Sequence, residues 1–184
     1  MSLLGWIVLI AVVVLVLAVV GYVLERRKRT GQLRSRFGPE YDRVAADAES
    51  KRAAEAELAE RAERRDALDI RPLSQASHDR YVDDWQNVQA RFVDDPRTAV
   101  VEADSLVRTV MAERGYPVDE DFERRAADIS VDHPEVVERY REGHRLSQLP
   151  ADDDSATESL RAAMTHYRAL FEQLVESEPE HAHA

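Results

Sequence analysis

Hydrophobic positions fall into two regimes along the chain. From Leu3 to Leu24 they form one block, LLGWIVLIAVVVLVLAVVGYVL, 22 residues without a charge. As a helix this block is about 33 Å long, enough to cross a bilayer core. Val and Ile are poor helix formers in water, but lipid forces backbone groups to pair within the segment, so helix is the expected state. Trp6 and Tyr22 lie near opposite ends, where amphipathic rings settle at a membrane interface. Beyond Leu24 the apolar positions become periodic. Tyr81, Trp85, Val88 and Phe92 fall at i, i+4, i+7 and i+11, one face of a helix. Val100, Ala103, Val107, Val110 and Met111 repeat that face, with Asp95 as N-cap, Pro96 at the first helical position and Gly115 as the stop. A short helix is predicted over 122–129. Pro134 is expected to open another with Val136, Val137 and Tyr140 inward. The last helix carries Leu160, Met164, Tyr167, Phe171 and Leu174, entered through a capping box of Ser155 and Glu158 behind Asp152–Asp154.

Between the two regimes lies a charged stretch with few large apolar side chains. Pro39 suits a helix's first turn, and Glu40 and Asp42 suit its positive end. Residues 39–71 then read as one long charged stalk helix with a thin stripe of Tyr41, Val44, Leu58, Leu68 and Ile70. Three arrangements are open for it: a solvated spacer, one strand of a homo-oligomer joined through residues 40–70, or an arm folded back on the rest. The predicted fold is therefore all-α. Its parts are an N-terminal transmembrane anchor (1–24, span 3–24), a basic juxtamembrane segment (25–38), the stalk (39–71), a small helical bundle (72–176) and a disordered tail (177–184).

Charge orients this plan. Residues 1–36 have a formal charge of +5 and residues 37–184 one of −16, within a total of −11. Arg26, Arg27, Lys28, Arg29, Arg34 and Arg36 follow the apolar block, and no Lys or Arg precedes it. The positive-inside rule puts the N-terminus outside and the remainder in the cytoplasm, at the plasma membrane. A cleaved leader is the competing reading, but it needs a basic start, a shorter apolar core and a small-residue cleavage site. The six cations primarily fix topology, and contact with anionic lipid headgroups is a by-product. The acidic remainder repels phosphate backbones, which argues against nucleic acid as a partner.

Candidate chemistry adds little. The chain has no cysteine, so disulfides, thiolate metal sites and cysteine nucleophiles are excluded. It has no Walker, dinucleotide-binding, zincin or nucleophile-elbow motif. The one E-x-x-H match, Glu178–His181, sits in the tail across Pro179, and His181 and His183 make a weak metal site. No cofactor or metal is expected. The stretch RGYPVDEDFERRAADISVDHPEVVERY is the most distinctive connector. Its Tyr116, Pro117, Asp132, His133 and Pro134 are either a partner surface or a turn-fixing device.

The phrases RFGPEYDR, ARFVDDP, EADSLV, RGYP and SVDHPEVVERYR resemble an uncharacterised family of actinobacterial-type membrane proteins. The resemblance implies a single N-terminal span followed by an acidic helical cytoplasmic region. It supplies no catalytic residues. The expected function is a membrane-tethered, non-enzymatic interaction or scaffold module with an unidentified protein partner. The alternative is a small-ligand- or metal-binding stress or regulatory protein, its pocket in the bundle near His133, His144 or Tyr140.

Overall fold

The computed structural model describes residues 3–118, 121–150 and 156–176; within the first helix, side chains are described at position 6 and from 12 onward. The described residues form helices and no strand: α1 (Leu3–Phe37), α2 (Pro39–Asp47), α3 (Lys51–Asp66), α4 (Gln75–Arg91), α5 (Pro96–Arg114), α6 (Phe122–Ile129), α7 (Val137–Ser147) and α8 (Ala156–Glu176). The tail and the Asp152–Asp154 and Ser155 cap lie outside the described residues.

The larger core belongs to α4–α8. Trp85 stacks on Phe171 with ring centroids 4.6 Å apart, and Tyr140 meets Phe122 at 4.8 Å and Tyr167 at 6.0 Å. Burial of such rings dominates the stability of a bundle this small. The faces expected on α4, α5 and α8 are the buried ones. The capping signals of α5 act as anticipated: Asp95 accepts from the Thr98 N–H, and Gly115 ends the helix in the left-handed region; Asp121 caps α6 by accepting from the Arg124 N–H. Pro134 does not open α7. Val136 and Val137 both donate backbone N–H bonds to the His133 carbonyl, so Pro134 sits in a tight turn and the helix starts three residues later.

Residues 39–71 are not one helix. Gly38, at φ 47°, reverses the chain after α1; α2 runs back, residues 48–50 break the helix, and Ser50 caps α3 by accepting from the Ala53 N–H. Helix α3 ends at Asp66, and an extended connector leads to α4. The thin apolar stripe is folded inward. Tyr41, Val44, Ala54, Leu58 and Ala62 pack with Leu33 and Phe37 of α1 and with Val131. The larger side chains of the stripe, Tyr41, Val44 and Leu58, are thus used within the chain. Hydrogen bonds from Thr30 (2.7 Å) and Tyr41 (3.1 Å) to Glu55, and an Arg36–Asp66 ion pair of 2.6 Å, tie α1, α2 and α3 together.

Upstream, α1 is continuous through the boundary between the uncharged block and the basic segment. Trp6, Val12–Leu17, Val19, Val20 and Tyr22–Leu24 are exposed. Among the described residues no helix is long and apolar enough to cross a membrane. The front of the predicted span, residues 3–5 and 7–11, lies outside the described side chains.

Candidate functional site

The two core units meet at a joint built from charge. Glu40 enters α2 at its second position, expected to do no more than complement the helix dipole. It is 2% exposed and accepts five N–H bonds: two each from Arg43 and Arg141 and one from Arg61, all between 2.9 and 3.0 Å. It thereby links α2, α3 and α7. Burial alone would raise its pKa, but the hydrogen bonds and charges of Arg43 and Arg141 outweigh burial and hold it at about 2. A charged, multiply bonded carboxylate of this kind is the strong form of the hydrogen bond.

The distinctive connector forms the second half of the joint. Arg65 of α3 donates from Nε to both Asp132 oxygens, at 2.6 and 2.7 Å. The Tyr116 hydroxyl donates to the same carboxylate. Arg64 approaches Asp128 at 3.5 Å. Tyr116 is 3% and His133 7% exposed, and Pro117, Asp132 and Pro134 are half-buried. Tyr116 and Asp132 therefore take part in an internal seam with Arg65. Their chemistry is that of adhesion. Burial and the neighbouring Asp132 push the Tyr116 phenol up, so it stays protonated. Burial lowers His133 to about 4, so it is neutral in the fold.

His133 gives a pH prediction. Its folded pKa lies below the unfolded value near 6.5, so the unfolded chain binds the extra proton between the two. Stability is complete above pH 6.5 and falls as pH drops towards 4, by up to about 3 kcal/mol. Unfolding free energies measured at intervals across that range should show this slope in the wild type and lose it in His133→Gln.

The bundle interior also holds a polar cluster. The hydroxyls of Tyr140 and Tyr167 are fully buried and make no hydrogen bond of good geometry; Arg125 lies beside the first, and Asp104 and Ser147 beside the second. His144 stacks on Phe122 at 3.8 Å. Among the described residues no group of three or more His, Asp or Glu is placed to hold a metal ion. An unmet buried hydroxyl costs about 1–3 kcal/mol. Tyr140→Phe and Tyr167→Phe should therefore leave thermal stability unchanged or raise it by about 1 kcal/mol each. A loss above 1 kcal/mol in either variant would mean that the hydroxyl is bonded, to Arg125, Asp104 or Ser147 or to a bound molecule.

The six cations that follow the uncharged block divide into two sets. Arg34 pairs with Asp42 at 3.4 Å and lies over the Tyr41 ring, and Arg36 pairs with Asp66. These two serve the second core. Arg26, Arg27, Lys28 and Arg29 are exposed. The long-range role of Glu40 has no counterpart in the sequence pattern around it. The fold-back that buries it does have one, in Leu33, Phe37, Tyr41 and Val44, whose spacing of i, i+4, i+8 and i+11 carries a stripe across Gly38.

No protein-family model, curated protein or solved structure matches this chain.

Proposed function

We propose that the chain is a membrane-tethered, non-enzymatic interaction or scaffold module. Residues 3–24 anchor it, with the N-terminus outside, and the acidic helical head meets a protein partner at the cytoplasmic face of the plasma membrane. The observation that carries this reading is the exposed, uncharged surface of α1 from Val12 to Leu24, continuous with a basic belt and then with a folded head. A helix apolar on all sides needs an apolar surround, and an exposed apolar patch of this extent marks an interaction surface. The acidic exterior of the head suits a basic partner, and tethering lets a weak contact suffice by raising local concentration.

The lack of cysteine makes the test clean. Single Ser2→Cys and Ser177→Cys variants, probed in intact cells with a membrane-impermeant thiol reagent, should label at position 2 only. Labelling at position 177, or release of the chain by alkaline carbonate, refutes the arrangement. The ligand-binding alternative draws its support from the Tyr140, Tyr167 and Asp104 cluster, and the phenylalanine variants above bear on it.

A further inference from the structure

Folding α3 back along α1 creates a cleft that neither helix has alone. Its volume is about 480 Å³, within the range of small-molecule sites. One wall is Tyr22, Arg26 and Arg29 of α1, and the other is Arg52, Glu55 and Ala56 of α3, with Glu25 also at the lining. The α1 residues follow i, i+4 and i+7 spacing and the α3 residues i, i+3 and i+4, so each set shares a helix face. The gap between the walls is fixed. Thr30 and Tyr41 donate to Glu55 just beneath it, and Leu33, Phe37, Ala54 and Leu58 pack below.

We propose that this cleft binds the phosphate of an anionic phospholipid headgroup, held by Arg26, Arg29 and Arg52. The inference rests on the anchoring proposed above and assigns that anchor a specific lipid contact. Three arguments converge. The first is depth. At 1.5 Å per residue, Arg26 and Arg29 stand about 3 and 8 Å beyond Leu24 along the helix axis. The polar layer on each face of a bilayer is about 5–8 Å thick. The guanidinium groups therefore lie at the level of the phosphates. The second is charge. Three guanidiniums face two carboxylates, and Glu55 is already engaged by Thr30, by Tyr41 and, at 3.7 Å, by Lys51. Guanidinium forks match phosphate oxygens in pairs. The third is orientation. Helix α3 begins beside the cleft, so its positive end adds to the same field. A free anion in the cytoplasm shares this chemistry, but only a lipid presents its phosphate at this depth with acyl chains alongside Tyr22 and the apolar face of α1.

The position of Arg52 separates a built site from general surface attraction. Arg27 and Lys28 lie on the same stretch of α1 as Arg26 and Arg29 but do not line the cleft. The full-length protein, purified in mixed micelles, is titrated with phosphatidylglycerol or phosphatidylcholine, and retained lipid is read by native mass spectrometry. Phosphatidylglycerol should be retained in preference to phosphatidylcholine. Arg26→Gln/Arg52→Gln should weaken phosphatidylglycerol retention by ~10- to 30-fold, and Arg27→Gln/Lys28→Gln by less than ~3-fold. Ala56→Leu, which fills the cleft without changing charge, should weaken it as the first pair does. Equal losses in the two double variants, no effect of Ala56→Leu, equal retention of phosphatidylcholine, or displacement of the lipid by millimolar inorganic phosphate would each overturn the proposal. Carbonate extraction of the same variants keeps the two readings apart. Release of wild type from membranes refutes the anchor itself, whereas retention with equal losses refutes the cleft alone.

Discussion

Replacing Glu40 with alanine is expected to destabilise the folded head by about 3 kcal/mol, because it removes the buried anion that three arginines share and leaves Arg61 with Glu57, Arg43 with Asp47 and Arg141 with longer contacts to Glu123 and Glu138. Arg61 is itself 7% exposed, and Arg141 reaches Glu40 from 101 residues away in a bidentate bond. Urea unfolding of the full chain in detergent micelles, followed by circular dichroism, measures the loss. The partner prediction concerns acid. The folded pKa of about 2 lies below the ordinary value of 4.5, so Glu40 contributes fully above pH 4.5 and its contribution disappears as pH falls towards 2. That limb is worth about 3 kcal/mol, and Glu40→Gln should remove it. A loss below 1 kcal/mol for the alanine variant would show that the joint does not hold the two units together.

The second large effect is expected at Gly115. Its φ of 100° is one that other residues adopt only with strain, and a Cβ there would stand 2.4 Å from the Asp69 carbonyl oxygen. That carbonyl belongs to the connector between α3 and α4, which is held by the Arg71 N–H on the Arg114 carbonyl (2.9 Å) and by Arg114 Nε on the Arg71 carbonyl (3.3 Å). Arg114 Nη1 also reaches the Leu174 carbonyl at 2.8 Å, so a displaced connector disturbs the end of α8 as well. Backbone strain of about 1–3 kcal/mol plus the clash sets the cost of Gly115→Ala at about 3–4 kcal/mol, or ~10 °C in Tm. Gly38 is the internal control. It too has positive φ, 47°, with ψ −125°, but nothing lies within 4 Å of its added Cβ, so Gly38→Ala should carry the backbone strain of about 1–3 kcal/mol without the clash. Equal melting shifts for the two variants would mean that the contact with Asp69 does not restrain the connector.

The two glycines also differ in how plainly the amino-acid sequence marks them. Gly115 announces itself, because it closes a strongly periodic helix whose other end carries Asp95 and Pro96. Helices α4, α5, α6 and α8 are legible for the same reason: each has a periodic apolar face, local cap residues, or both. The fold-back of residues 39–66 is marked only by the stripe from Leu33 to Val44. Its apolar stripe is thin, its partners Leu33 and Phe37 sit in a segment dominated by cations, and Val131 comes from a turn far along the chain. The break at residues 48–50 is signalled only by Ser50, one serine among alanines and charges. Charge pairing has no periodicity. Glu40 with Arg141, and Arg65 with Asp132, are recognisable only once the helices are placed, which is why the sequence around His133 fits either a surface or a hinge pin. Tyr116 and His133 are buried and Pro117 is half-buried.

The unbroken course of α1 from the uncharged block to Phe37 has a mechanical corollary. With no swivel between the hydrophobic stretch and the helical head, lean in one is lean in the other. Membrane helices incline by about 20° on average, and by more or less as bilayer thickness changes. Over a lever of ~30 Å such a change swings the acidic bundle sideways by ~10 Å. Under the anchoring proposed above, thickness of the surrounding lipid would thus set where, and at what angle, the head is held.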